Sequence, residues 1–287
     1  MINAWLLAIR PKTLWASVAP VLIGTSMAYE QKVHHWPTAL MAFIGALLIQ
    51  MGTNLTNDYF DFKKGADTAD RIGPTRVIQA GLISERSMKI AIGLLGGLAL
   101  IVGLYLTWRG GWPILLIGIA SLLAGFFYTA GPRPLAYLGL GDLFVLIFFG
   151  PIAVAGTYYV QALEVNPTVI IAGIPPGLLS VALLTVNNLR DIESDKKAGK
   201  RTLAVRWGKS FSKTEYIAAV SLAALIPLLF LKENFHVILT LMIIPWAAPS
   251  IRSVLKELDG PALNALLTQT GKLLLVYSLL FSAGWIL

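Results

Sequence analysis

Nine stretches of this chain are apolar over the length that a bilayer demands: 14–29, 36–61, 88–108, 113–130, 143–163, 169–189, 216–231, 235–251 and 270–287. About 20 apolar residues in helical form cross the hydrocarbon, with tolerance for shorter cores. The pattern therefore predicts an all-α, polytopic membrane bundle of nine spans, one transmembrane domain over residues 1–287. Only 13% of residues are charged and 56% are hydrophobic, against about a quarter charged in an ordinary soluble domain. There is no cysteine, which removes disulfides, thiolate catalysis and Cys-ligated metals from consideration. Arg10 and Lys12 precede the first run with no small-residue cleavage site after it, so that run reads as a retained span.

The formal net charge is +8, yet no soluble basic domain exists to bind nucleic acid. The basic residues are topology signals. If the chain starts on side one, twenty of its 23 Lys and Arg fall in side-one loops, leaving Lys32, Arg109 and Lys232 for the other. By the positive-inside rule side one is cytoplasmic. Twelve of the 15 acids share that side, while His34, His35 and His236 all fall opposite. Any chemistry is therefore expected at the cytoplasmic face and without a histidine. Trp36, Trp108, Trp112 and Trp285 near span ends read as an aromatic belt, and Gly93, Gly96 and Gly97 as packing residues.

The second apolar run ends in Asn54-Leu-Thr-Asn57-Asp58-Tyr-Phe-Asp61. On a helix the four polar residues share one face. The sixth run ends in Asn187-Asn-Leu-Arg190-Asp191-Ile-Glu-Ser-Asp195, where Asn187, Asp191 and Asp195 again share a face. Either end alone could be a solvated helix terminus. The recurrence of Asn-x-x-x-Asp instead suggests an internal duplication with two facing half-sites. Carboxylate and amide oxygens without nitrogen or sulfur favour Mg²⁺, or Mn²⁺, which is commonly held together with substrate phosphates. Lys63, Lys64, Arg71 and Arg76 follow the first cluster, and Arg190, Lys197, Lys200 and Arg201 surround the second. Each could serve only topology or lipid headgroups; acids and bases at one mouth imply a metal–diphosphate substrate. A third polar stretch, Tyr128-Thr-Ala-Gly-Pro-Arg133 to Tyr137 and Asp142, reads either as a tight connection or as a substrate wall.

The paired Asn-x-x-x-Asp ends, the Tyr128–Pro132 stretch and the apolar spans together resemble the UbiA-type superfamily of intramembrane prenyltransferases. Within it, Asn57-Asp58-Tyr-Phe-Asp61-Phe-Lys-Lys-Gly65-Ala-Asp67, Asp70-Arg71-Ile-Gly-Pro-Thr-Arg76 and Arg10-Pro-Lys-Thr13 are similar to the branch that prenylates 1,4-dihydroxy-2-naphthoate in menaquinone synthesis. The resemblance implies a multi-pass protein of a bacterial cytoplasmic (inner) membrane that joins a polyprenyl diphosphate to the naphthoate, with decarboxylation, giving demethylmenaquinone. It implies Mg²⁺ on Asn57, Asp58, Asp61, Asp191 and Asp195. Gly65 stands where the hydroxybenzoate branch usually has a third acid, which leaves Asp67 as the candidate for that place. Diphosphate would meet Lys63, Arg71, Arg76, Asn187, Lys197, Lys200 and Arg201, with Asp61, Asp191, Lys200 and Tyr128 closest to the chemistry. Arg10, Lys12 or Arg133 would take the acceptor carboxylate. Two rivals remain: prenyl transfer to another aromatic acceptor such as 4-hydroxybenzoate, and a secondary transporter. Transporters usually place their acids near the midplane in interrupted helices.

Overall fold

The computed structural model describes residues 2–65, 73, 76–256 and 260–287; Asp67 and Arg71 lie outside the described residues. α1 (Ile2–Ile9) meets α2 (Trp15–Glu30) through a 3₁₀ turn at Pro11–Thr13, a bend of 51°. α3 (Trp36–Lys63), α4 (Glu85–Gly110) and α5 (Trp112–Phe127) follow, then α6 (Gly141–Phe148) and α7 (Pro151–Ala162), α8 (Pro167–Ala172) and α9 (Ile174–Arg190), α10 (Ile192–Lys197), α11 (Leu203–Leu225), α12 (Ile243–Leu255) and α13 (Gly260–Ile286).

Among the described residues seven helical segments are long and apolar enough to cross a bilayer, or eight if the bent α1–α2 pair counts as one. Nine were expected, and the difference lies in α5. Its 16 residues extend about 24 Å at 1.5 Å per residue, less than the ~30 Å hydrocarbon. The expected seventh and ninth runs start earlier than hydropathy suggests, at Leu203 and Gly260, because Lys209, Lys213, Asn264 and Gln269 interrupt the apolar window.

The span made by α8 and α9 lies at the centre, 72% of its most apolar stretch buried, against 6% for α4. Leu179, Ala182 and Val186 of α9 join Tyr216, Ala219 and Ala223 of α11 and Leu274, Tyr277 and Phe281 of α13 in the main core. Their many alanines let helix axes approach closely. On α4, Leu94, Leu98, Ile101 and Leu104 are at least half exposed, a surface suited to lipid rather than water. A smaller cluster of Ala4, Ala8, Leu55, Val77, Ile78, Ile83 and Met88 fastens α1 and the 76–83 turn onto α3 and α4. That anchorage fixes Arg76, one residue before the fully buried Val77.

His35 caps the start of α3 by accepting the Thr38 N–H, and Pro37 occupies the first turn, where a missing N–H costs nothing. The 28 residues of α3 then reach about 42 Å, longer than the hydrocarbon by more than two turns. This surplus carries Asn54 to Asp61 to the polar end of the bundle.

Candidate functional site

A cavity of about 410 Å³ runs between α2, α3, α4, α5, α6, α7 and α9. Its depth is walled by residues such as Ile49, Leu122, Phe148, Ile152 and Leu183, and its polar end by Arg10, Asn54, Asn57, Tyr128 and Asn187. The shape suits a long apolar chain with a polar head. Arg10 occupies the elbow between α1 and α2 in the left-handed region, φ 51°, a conformation that costs a non-glycine residue on the order of 1 kcal/mol. The elbow is held by Asn54, whose amide donates to the Ile9 carbonyl at 2.8 Å and to Thr13 Oγ1 at 3.2 Å. Asn54 thus shapes the mouth instead of sharing ligand duty with the acids beside it.

Asp58 and Asp61 are each 2% exposed. A buried carboxylate needs a paired charge or strong donors, and Arg76 supplies both. One guanidinium nitrogen is 3.2 Å from Asp58 Oδ1 and the other 2.9 Å from Asp61 Oδ2, so the fork spans two acids three residues apart. Asn57 turns the other way and accepts the Thr129 hydroxyl at 2.7 Å.

The second half-site is built differently. α9 ends at Arg190, Asp191 takes a capping conformation, and α10 begins at Ile192, so a single continuous helix through Asp195 does not form. The Asp195 N–H still donates to the Asp191 carbonyl at 2.8 Å, which preserves the helical succession across the break. Arg190 is 6% exposed and Asp191 5%. The guanidinium grips Asp191 in a fork, Nε to Oδ1 and Nη2 to Oδ2, both at 2.7 Å. It also donates to Asn187 Oδ1 at 2.7 Å and to Asn264 Oδ1 of α13 at 2.9 Å.

Lys200 joins the two halves. After α10, Gly199 turns the chain at φ +74°, a conformation glycine adopts at little cost, and the Lys200 N–H donates to the Asp195 carbonyl at 2.8 Å. Its ammonium lies 3.0 Å from Asp61 Oδ1 and 3.8 Å from Asp195 Oδ1. The two aspartate-bearing ends are therefore separated by the span of one ammonium group. Among the described residues, no three His, Cys, Asp or Glu side chains cluster tightly enough to cage a metal by themselves. The donor set fits a hard cation shared with phosphate oxygens, since Mg²⁺ seldom requires an all-protein cage. Burial pushes the pKa of the neighbouring Lys64 ammonium down; Asp61 pulls it back up and Lys200 adds to the lowering.

Of the residues singled out from the sequence, Arg10, Asn57, Tyr128 and Asn187 line the cavity. Asp58, Asp61, Arg76, Asp195 and Lys200 form one charged cluster, with Asp191 clamped beside it. Lys12, Arg133, Lys197 and Arg201 are exposed and do not line the cavity. Lys63 points outward to Glu85 at 2.7 Å, which removes it from the mouth. Sequence reasoning missed Thr129 as the partner of Asn57 and Asn264 as a partner of Arg190, and read Arg190 as one of the cations available to the diphosphate. The signal for Arg190 was its adjacency to Asp191; Asn264 gave none.

The sequence profile of the UbiA prenyltransferase family matches residues 17–286. The chain is 40% identical to the 1,4-dihydroxy-2-naphthoate octaprenyltransferase of Escherichia coli, over 98% of this chain and 94% of that protein. It is 35% identical to the Haemophilus influenzae protein of the same name, over 99% and 96%. Its backbone resembles a UbiA homolog from Archaeoglobus fulgidus solved with GPP and Mg²⁺, TM-score 0.64 at 16% identity, covering 99% of each chain.

Proposed function

Because the chain belongs to the UbiA prenyltransferase family, we propose that it transfers a polyprenyl group from polyprenyl diphosphate to 1,4-dihydroxy-2-naphthoate. The carboxylate leaves as CO₂, the direct product is the prenylated quinol, and its oxidation gives demethylmenaquinone. The observation that carries this reading is the cavity, apolar along its depth and lined at its polar end by Asn57 and Asn187, which stand on or beside the segments whose Asp61 and Asp195 share the Lys200 ammonium. Relatives carry the acceptor's name, and a structural neighbour was solved with a prenyl diphosphate and Mg²⁺.

In this reading Asn57, Asp58, Asp61, Asp191 and Asp195 hold Mg²⁺ together with the diphosphate, with Asp67 as a further candidate. Mg²⁺ held by these residues would offset negative charge on the departing diphosphate. Lys200 and Arg76, fixed at the same carboxylates, add positive charge where the allylic C–O bond breaks and its electron pair leaves with diphosphate. Asn187 orients the head group, with Arg71 a further candidate for the same role. Tyr128 and the apolar wall keep water from the allylic cation, since water would convert it to a prenyl alcohol. Arg10, strained and cavity-facing, takes the acceptor carboxylate in preference to the exposed Lys12 and Arg133. The mouth faces the cytoplasm, on the side where most basic residues lie.

The test is turnover of 1,4-dihydroxy-2-naphthoate with a long-chain polyprenyl diphosphate by membranes holding this protein, with and without EDTA, read by mass spectrometry. A prenylated, decarboxylated naphthoquinone that disappears with chelator is expected. Prenylation of 4-hydroxybenzoate alone would overturn the acceptor, and no product from either would sink prenyl transfer.

A further inference from the structure

Tyr137 is half-buried in the loop between α5 and α6, and two ammonium groups from different loops lie over its ring. Lys64 Nζ is 4.6 Å from the ring centroid and Lys200 Nζ 5.5 Å. Lys64 directly follows α3, which carries the first half-site, and Lys200 follows α10, which carries Asp195 of the second. The ring therefore sits at the junction of the two halves. Like charges gathered this closely repel, and the surroundings offset the repulsion. Lys64 donates to the carbonyls of Thr129 at 2.7 Å and Gly131 at 3.3 Å, and Lys200 lies against Asp61 and Asp195. The negative face of an aromatic ring adds attraction for both cations.

The backbone keeps the ring in register with the lysine beside it. Arg201 N–H donates to the Tyr137 carbonyl at 3.3 Å. The Arg206 guanidinium reaches the Leu138 carbonyl at 2.8 Å and the Arg201 carbonyl at 3.0 Å. Gly139 has φ +68°, and a Cβ there would stand 2.6 Å from the Arg201 carbonyl oxygen, so the two loops approach this closely only over a glycine. The segment carrying Tyr137 is stapled to the segment carrying Lys200.

We propose that Tyr137 is a positioning residue whose ring face holds Lys64 and Lys200 as a pair, so that a diphosphate entering the mouth meets two ammonium groups already set in place. This rests on the prenyl diphosphate reading above. It assigns the role to the ring's π face, not to the phenol hydroxyl.

The test uses the full chain purified in detergent, with Tyr137→Phe as reference and mono-, di- and trifluorinated phenylalanine at the same position. Fluorine drains the ring face while nearly preserving its shape, so the series probes electrostatics without emptying the loop. Binding of inorganic diphosphate with Mg²⁺ is measured by calorimetry, and KM for polyprenyl diphosphate alongside. Affinity should weaken stepwise, by roughly five- to tenfold from Phe to trifluoro-Phe. KM for the prenyl diphosphate should rise in parallel while KM for the acceptor holds. Equal affinities across the series would overturn the proposal. So would a loss that comes entirely with Tyr137→Phe and does not deepen with fluorine, since that points to the hydroxyl. A protein that follows the fluorine trend in binding yet never cleaves a prenyl diphosphate would sustain the ring's role and remove prenyl transfer. Wild type that binds no diphosphate would remove both.

Discussion

The two half-sites share a motif but not a construction. Each places Asn-x-x-x-Asp at the end of a long apolar helix, and each closes on a buried arginine. In the first, Arg76 arrives from a turn well beyond the helix and divides its fork between Asp58 and Asp61, while Asp61 also takes Lys200 from the other half of the chain. In the second, Arg190 directly precedes the acid it grips and spends its donors on Asp191, Asn187 and Asn264. The first half-site borrows its counter-charge from segments distant in the sequence, Arg76 and Lys200. The second is self-contained between α9 and α13. If the halves descend from a duplication, the acids were kept and the counter-charges were solved twice.

Asparagine at Asp61 and at Asp191 tests this contrast most severely. Both changes should lower kcat/KM, by roughly 10²- to 10³-fold if each carboxylate balances transition-state charge. Stability should separate them. Asp191→Asn leaves Arg190 buried without its counter-ion, a loss of about 3–5 kcal/mol for a broken buried pair, so the thermal midpoint in detergent should fall sharply. Asp61→Asn leaves Arg76 with Asp58 and Lys200 with Asp195, so its midpoint should move much less. Equal drops would erase the distinction between the halves.

Arg190→Lys keeps the charge and removes the fork. One ammonium cannot serve Asp191 in bidentate fashion while also reaching both asparagines, so roughly tenfold lower turnover is expected, as for lost partners behind a metal ligand, with a lower midpoint. Asn264→Ala is the milder version. It deletes one acceptor of the guanidinium, worth about 1–2 kcal/mol, and acts from a helix that contributes no acid to the site. Turnover unchanged in both variants would mean that the clamp does not orient Asp191.

Hydropathy made the bundle legible because every span must satisfy a bilayer, and the offset of Asn57 from Asp61 placed the acids because helical periodicity is local. What stayed hidden was long-range. Asn264 lies in the first turns of α13, where polar residues look like a loop, and its meeting with Arg190 depends on α9 and α13 packing together. Thr129 reaches Asn57 from 72 residues away. The helix break at Asp191 was invisible because Ile192 to Lys197 continues the helical pattern. The outward turn of Lys63 was equally unreadable, since it is set by Glu85 on α4.

Lys63 and Lys64 give the finest division, because adjacent residues of one helix end face opposite ways. Lys63 is exposed and pairs with the exposed Glu85, a kind of pair that contributes little through solvent screening. Lys64 reaches back over the mouth to Thr129 and Gly131. Lys63→Ala should therefore leave both the thermal midpoint and KM for polyprenyl diphosphate within experimental error, whereas Lys64→Ala should raise that KM several-fold with little change in KM for the acceptor. A KM increase in Lys63→Ala equal to that in Lys64→Ala would place bulk positive charge, and not directed ammonium groups, at the first half-site, and the distinction between a borrowed and a built-in counter-charge would then have to rest on Arg76 alone.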